Sequence, residues 1–216
     1  MKNKKLLKSL GLFACAILLV VGSVTGTMAY LTSRKTVTNT FSFGNVSISM
    51  DESKVNLYGV PETPASRVTE NQYKLIPGQT YVKDPIITVA AGSEECYLYV
   101  KIDNDLTGIE VAADDTADAT ESIEEQLIAN GWVALEGVSK VYVYMGDKSV
   151  SGKVKAGVDT PVAVDTFGNF TVKSEVSSTT IDGFGIKTIV VTAYAVQTAG
   201  FADAKTAFTT AFAGGY

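Results

Sequence analysis

The sequence contains no histidine. That removes the commonest general base and the commonest zinc ligand together, and leaves carboxylates and carbonyls as the available metal donors. Cysteine is almost as scarce, at two residues, Cys15 and Cys96. Cys15 lies in an N-terminal leader, so the processed chain holds one thiol and no internal disulfide, and stability must come from packing. Positive charge is also short. The first 29 residues hold Lys2, Lys4, Lys5 and Lys8 and no acid, so 14 of the 18 basic residues and all 23 acidic ones remain after them, a net charge of −9. A surface of that sign repels phosphate backbones, and no nucleic-acid partner is expected. No serine nucleophile elbow, P-loop, dinucleotide fingerprint or metallopeptidase helix occurs. The chain is not expected to be an enzyme; no catalytic residue, metal ligand or cofactor is assigned.

The leader has the form of an export signal. Met1 to Lys8 is basic, Leu10 to Val24 is apolar, and Thr27 and Ala29 place small residues for cleavage between Ala29 and Tyr30. The apolar run is shorter than the roughly 20 residues that span a bilayer, so contact with the membrane is expected only in transit. Leu12-Phe13-Ala14-Cys15 is a poor lipobox, because Phe13 is bulky and the apolar run continues past Cys15. The C-terminal Thr210-Ala211-Phe212-Ala213-Gly214-Gly215-Tyr216 carries no sorting motif or apolar tail. The expected location is secreted, in an extracellular matrix or at the cell surface, with residues 1–29 removed.

What remains is rich in short runs of Val, Ile, Thr, Tyr and Phe separated by Gly, Asp and Pro. Eight to ten strands are expected, including Ile86–Ala90, Cys96–Ile102, Val141–Met145, Pro161–Val164, Phe170–Val172 and Ile186–Gln197, with residues 51–80 less regular. Their spacing predicts an all-β fold, a jelly-roll-like antiparallel β-sandwich over 44–216. One short helix is expected in a loop insertion at Thr120–Asn130. Ser122 and Glu125 form a potential capping box there, Ile123, Leu127 and Ile128 share a face, and Gly131 stops it. Cys96, Leu98, Val100 and Ile102 share one parity and Tyr97, Tyr99 and Lys101 the other, which predicts a half-buried strand with a buried, structural thiol.

Residues 30–43 form a distinct piece. Thr36, Val37, Thr38, Asn39, Thr40, Phe41 and Phe43 belong to a Thr-rich, β-prone stretch, and the apolar parity flips past Gly44 to Val46, Ile48 and Met50. The stretch becomes a free end once the leader is cleaved. It is a candidate donor strand for a neighbouring subunit; the alternative is an ordinary first strand paired within its own domain. Asp103 to Ala119 reads as an acidic surface loop. Asp103-Asn104-Asp105-Leu106-Thr107-Gly108 begins like a calcium loop, but Glu110 stands where an apolar residue belongs and no helix pair flanks it. Asp51-Glu52 and Asp84-Pro85 read as strand-edge or turn acids with nothing convergent around them.

Several stretches together resemble a known family. Gly26-Thr27-Met28-Ala29-Tyr30-Leu31-Thr32 and Thr38-Asn39-Thr40-Phe41-Ser42-Phe43-Gly44-Asn45-Val46 resemble the signal and mature start of proteins cut by the SipW-type signal peptidase. With Tyr73-Lys74-Leu75-Ile76-Pro77-Gly78, Lys83-Asp84-Pro85, Gly92-Ser93-Glu94-Glu95-Cys96-Tyr97 and Thr192-Ala193-Tyr194-Ala195-Val196-Gln197, the chain is similar to the TasA/camelysin family of Gram-positive surface proteins. The resemblance implies a jelly roll, export by that peptidase, and self-assembly into biofilm matrix fibres by donor-strand addition of the mature N-terminal segment. Camelysin-like members are classed as metallopeptidases. The absence of histidine argues against carrying that activity over, so a secreted surface peptidase or a monomeric binding module is the second reading.

Overall fold

The computed structural model describes residues 45–111, 121–177 and 188–216, all within the second of the two units into which the chain divides, Phe43–Tyr216. Among the described residues the fold is all-β and antiparallel, with two short helices. The strands are β1 (Ile48–Ser53), β2 (Arg67–Val68), β3 (Thr80–Val82), β4 (Ile86–Val89), β5 (Cys96–Asn104), β6 (Trp132–Ala134), β7 (Val141–Tyr144), β8 (Val162–Asp165), β9 (Asn169–Thr171) and β10 (Ile189–Gln197). They form one four-stranded sheet in the order β2-β1-β4-β8, a second in the order β10-β5-β7-β6, and a β3-β9 ribbon. The expected irregular stretch 51–80 therefore contains the end of β1, all of β2 and the start of β3.

One apolar core draws on all three sheets. Ile87, Val89 and Val164 come from the first sheet, Leu98, Val100, Trp132 and Tyr144 from the second, and Tyr81 and Phe170 from the ribbon. The ribbon rings stack at 5.0 Å between centroids. The indole N–H of Trp132 donates to the Asp165 carbonyl at 2.8 Å, so the largest core side chain is buried without an unpaired donor.

β5 departs from the sequence expectation. It is buried on both faces from Cys96 to Val100, not half-buried. The Cys96 row packs into the core as expected. The Tyr97 and Tyr99 row is covered from outside by a second helix, α2 (Ala204–Ala211), which sequence patterning did not indicate. Asp203 caps that helix by accepting the Thr206 N–H at 2.7 Å. Phe208 then seats against Tyr99 and Tyr194, neighbours across the β5-β10 ladder, at 4.9 and 5.7 Å. The Tyr99 hydroxyl donates to the Ala204 carbonyl. Phe208→Ala is expected to cost about 3–5 kcal/mol, the range for emptying a fully buried aromatic site, measured by urea unfolding.

The expected helix is α1 (Ile123–Ala129), between β5 and β6. Its capping box is formed, with the Ser122 hydroxyl accepting the Glu125 N–H and the Glu125 carboxylate accepting the Ser122 N–H. Gly131 follows at φ +86, a conformation that favours glycine. Ile123 and Leu127 are buried, but Ile128 faces solvent, contrary to the expected shared face. The buried face runs instead through Ile123, Gln126 and Leu127, with the Gln126 side chain bonded to the Asn169 carbonyl and the Gly168 N–H, which turns Ile128 outward.

Candidate assembly edge and groove

The longest ladder in the structure leaves one side open. β10 pairs residue for residue with β5 over all nine positions, from Ile189 opposite Asn104 to Gln197 opposite Cys96. It is the edge of its sheet, so among the described residues the outward N–H and C=O groups of alternate β10 residues meet no strand. Ile189, Val191, Ala193 and Ala195 pack against the core but stay only partly buried. An edge that is long, free of proline and backed by a half-covered apolar row is what an added strand requires.

A groove of about 960 Å³ adjoins this edge. One wall is β1 and the following 68–75 segment; the other is the start of β10 with Leu106 and Ile109. Met50, Leu75, Phe170 and Val191 supply apolar lining. Glu52 and Lys83 supply a buried ion pair at 2.7 Å, and the Asn71 amide donates to the second carboxylate oxygen of Glu52 at 2.9 Å. Tyr73, whose hydroxyl donates to the Val82 carbonyl, has its pKa raised by burial first and by the Glu52 charge second.

The acids read as isolated are in fact engaged. Arg67 reaches Asp51 and Asp84 together, and Asp84 also accepts from the Ser53 amide and hydroxyl. Arg67 was not singled out from sequence; its two acid partners lie 16 and 17 residues away, so no local pattern marks it.

The segment from 103 onward also differs from expectation. Leu106, Ile109, Glu110 and Val111 are buried, so its first half is part of the core and not a surface loop. Asp103 is held by Lys101 and Lys140 at 3.0 Å each, and these two ammonium groups keep its carboxyl below the usual range. Asp105 accepts from the Thr188 hydroxyl, and Asn104 accepts the Leu106 N–H. Each of these groups points to a protein partner, and no group of three or more potential metal ligands occurs among the described residues.

Glu110 has a structural task. Its carboxylate accepts the Ile123 N–H at the start of α1 at 3.0 Å and the Asn104 amide. Burial pushes its carboxyl above the usual range, against these two donors, which favour the ionised form. The folded chain therefore takes up this proton at a higher pH than the unfolded one, and the group contributes stability as pH falls through its folded pKa. Glu110→Gln is expected to remove that component. Urea midpoints at pH 7 and pH 5 should show the native chain gaining on the variant upon acidification; a constant gap would sink the assignment.

Cys96 is fully buried, and burial, with the Glu95 charge second, pushes its thiol up to about 11. The sequence reading of a structural thiol holds, and the sulfur is out of reach of a second chain.

The candidate cleavage residues Ala29 and Tyr30 and the donor candidates Thr36, Val37, Thr38, Asn39, Thr40, Phe41 and Phe43 lie outside the described residues, as does the whole leader. No described helix is long and apolar enough to cross a membrane. The structure thus defines an antiparallel all-β protein with an open strand edge beside a partly apolar groove. Compared with family models, with curated proteins and with solved structures, the chain finds no match in any of the three.

Proposed function

We propose that the chain is a secreted structural subunit of extracellular matrix fibres, built by adding residues 30–43 of one copy as a strand to the next. The supporting observation is β10, nine residues of sheet edge with a half-covered apolar row beside a groove. The donor segment has the matching chemistry: it is β-prone, and Phe41 and Phe43 share one face for an apolar wall. Strand addition takes its affinity from main-chain hydrogen bonds and its specificity from alternate side chains, so no catalytic group is needed. The TasA/camelysin-like jelly roll and processing by a SipW-type peptidase belong to this proposal, with the protein itself as main partner.

Maturation and assembly are tested together. Material collected from the medium is expected to begin at Tyr30 on N-terminal sequencing and to form filaments in electron micrographs when concentrated. A mature start at Met1, or a chain that stays monomeric at every concentration, counts against the proposal. The same groove also suits a monomeric binding module, since it combines apolar walls with a few fixed polar groups. That second reading predicts saturable ligand binding with no filaments.

A further inference from the structure

The turn that follows β1 carries large apolar side chains where turns ordinarily carry polar ones. Leu57, Tyr58 and Val60 are 51%, 46% and 54% exposed, with Ile76 beside them. The turn is nonetheless tightly held. The Asn56 side chain accepts the Tyr58 and Val60 N–H groups at 2.9 and 3.1 Å. The Leu57 carbonyl accepts from the Lys74 amide and the Tyr58 carbonyl from the Gln79 side chain. Gly59 sits at φ +73 with its backbone pressed on Tyr81, where a Cβ would stand 2.7 Å from the Tyr81 Cα. The result is a rigid knob whose apolar side chains have already lost their backbone freedom, the form of surface that binds at low entropic cost.

The opposite end of the sheets carries a second exposed apolar feature. The chain enters β1 at Asn45, whose carbonyl accepts the Glu94 N–H just before β5. Cys96 bridges Val154, and the hairpin leading to Val154 exposes Met145 and Val150, the latter at 78%. Knob and hairpin therefore stand at opposite ends of β1, the knob after its last residue and the hairpin beside the start, where the described chain begins at Asn45.

We propose that the 56–60 knob of one copy docks on the 145–150 hairpin of the next, an end-to-end contact separate from the added strand. This inference rests on the donor-strand reading. Fourteen residues from Tyr30 to Phe43 reach on the order of 45–50 Å when extended. The groove lies towards the knob end, lined by residues beyond Ser53 and by the start of β10. With hairpin facing knob, a segment tethered at Asn45 of one copy has the shortest path to the groove of the next. Such a contact is heterologous and repeats head to tail, so it extends a filament instead of closing a dimer.

The test uses the mature chain, its Leu57→Asp/Tyr58→Asp variant and, at the other end, its Val150→Asp variant. Three quantities are read: the melting midpoint, the affinity for a labelled synthetic peptide with the sequence of residues 30–43, and the rate of fibre growth. Both variants are expected to melt and bind peptide as the native chain does, while growing fibres about thirtyfold more slowly, the scale of losing one central contact. Leu57→Lys combined with Val150→Asp should grow faster than either single change. Growth at the native rate in both variants, with peptide still bound, overturns the knob contact and leaves the donor strand standing. A peptide that neither binds the native chain nor slows its growth sinks the donor strand, and the knob contact with it. Because Val150 is so exposed, its variant decides the matter if the knob substitutions unfold the chain.

Discussion

Deleting residues 30–38 from the mature protein is expected to leave a folded, soluble monomer that cannot extend a fibre. The deletion removes Tyr30 to Thr38 and leaves only Asn39 to Phe43, a stub too short to pair along the nine residues of β10. β10, the groove and the core stay untouched, since all the core residues described lie C-terminal to Gly44. Growth should stop at this point and not merely slow, because each addition needs a fresh donor while the acceptor edge is unchanged. Added to native protein, the truncated chain should act as a terminator, accepting a donor and offering none. The competing reading makes 30–43 an internal first strand. Its loss then strips packed apolar side chains from the domain's own core and costs several kcal/mol, on the order of two or three buried aromatic or aliphatic groups. Melting midpoint and filament imaging separate the two. Normal filaments from the truncated chain, or a chain that unfolds, would each defeat the donor assignment.

Much of the fold was legible because its signals are local. Short β-prone runs marked β4, β5, β7 and β10, and the helix expected over Thr120–Asn130 forms at Ile123–Ala129 behind the Ser122–Glu125 capping box. The helix α2 was missed because Ala-Lys-Thr-Ala-Phe-Thr-Thr-Ala is small and Thr-rich, favouring neither state strongly. A signal was present: Asp203 three residues before Thr206, and Ala204, Phe208 and Phe212 at spacings of four. The burial of the Tyr97–Tyr99 face could not be read from β5 alone, because it depends on that helix folding back onto it. In the site, the open edge of β10 and the partners of Glu52 and Arg67 are set by sheet order and by contacts 16 to 31 residues apart. Parity along one strand carries no information about strand order. The donor segment is the reverse case, marked only by its own composition and by the parity flip at Gly44.

Lys83→Met is expected to cost about 3–5 kcal/mol, the range for removing one partner of a buried ion pair. Lys83 and Glu52 retain only 11% and 5% of their side-chain exposure, and their charged atoms meet at 2.7 Å. Removing the ammonium strands the Glu52 carboxylate in the wall of the groove, with the Asn71 amide as its remaining side-chain donor. Attraction across the intact pair only roughly balances the desolvation of both ions, so the loss reflects the orphaned charge and not the worth of the pair. Glu52→Leu with Lys83→Met should accordingly recover most of the stability, and the coupling from a double-mutant cycle measured in urea should be large. The pair joins β1 to the turn between β3 and β4, so it fixes the groove wall at one register. The double variant, though stable, should then accept the 30–43 peptide less tightly than the native chain does. A loss below about 1 kcal/mol for Lys83→Met, the level of an exposed ion pair, would mean that water reaches Glu52 and that the pair does not brace the groove.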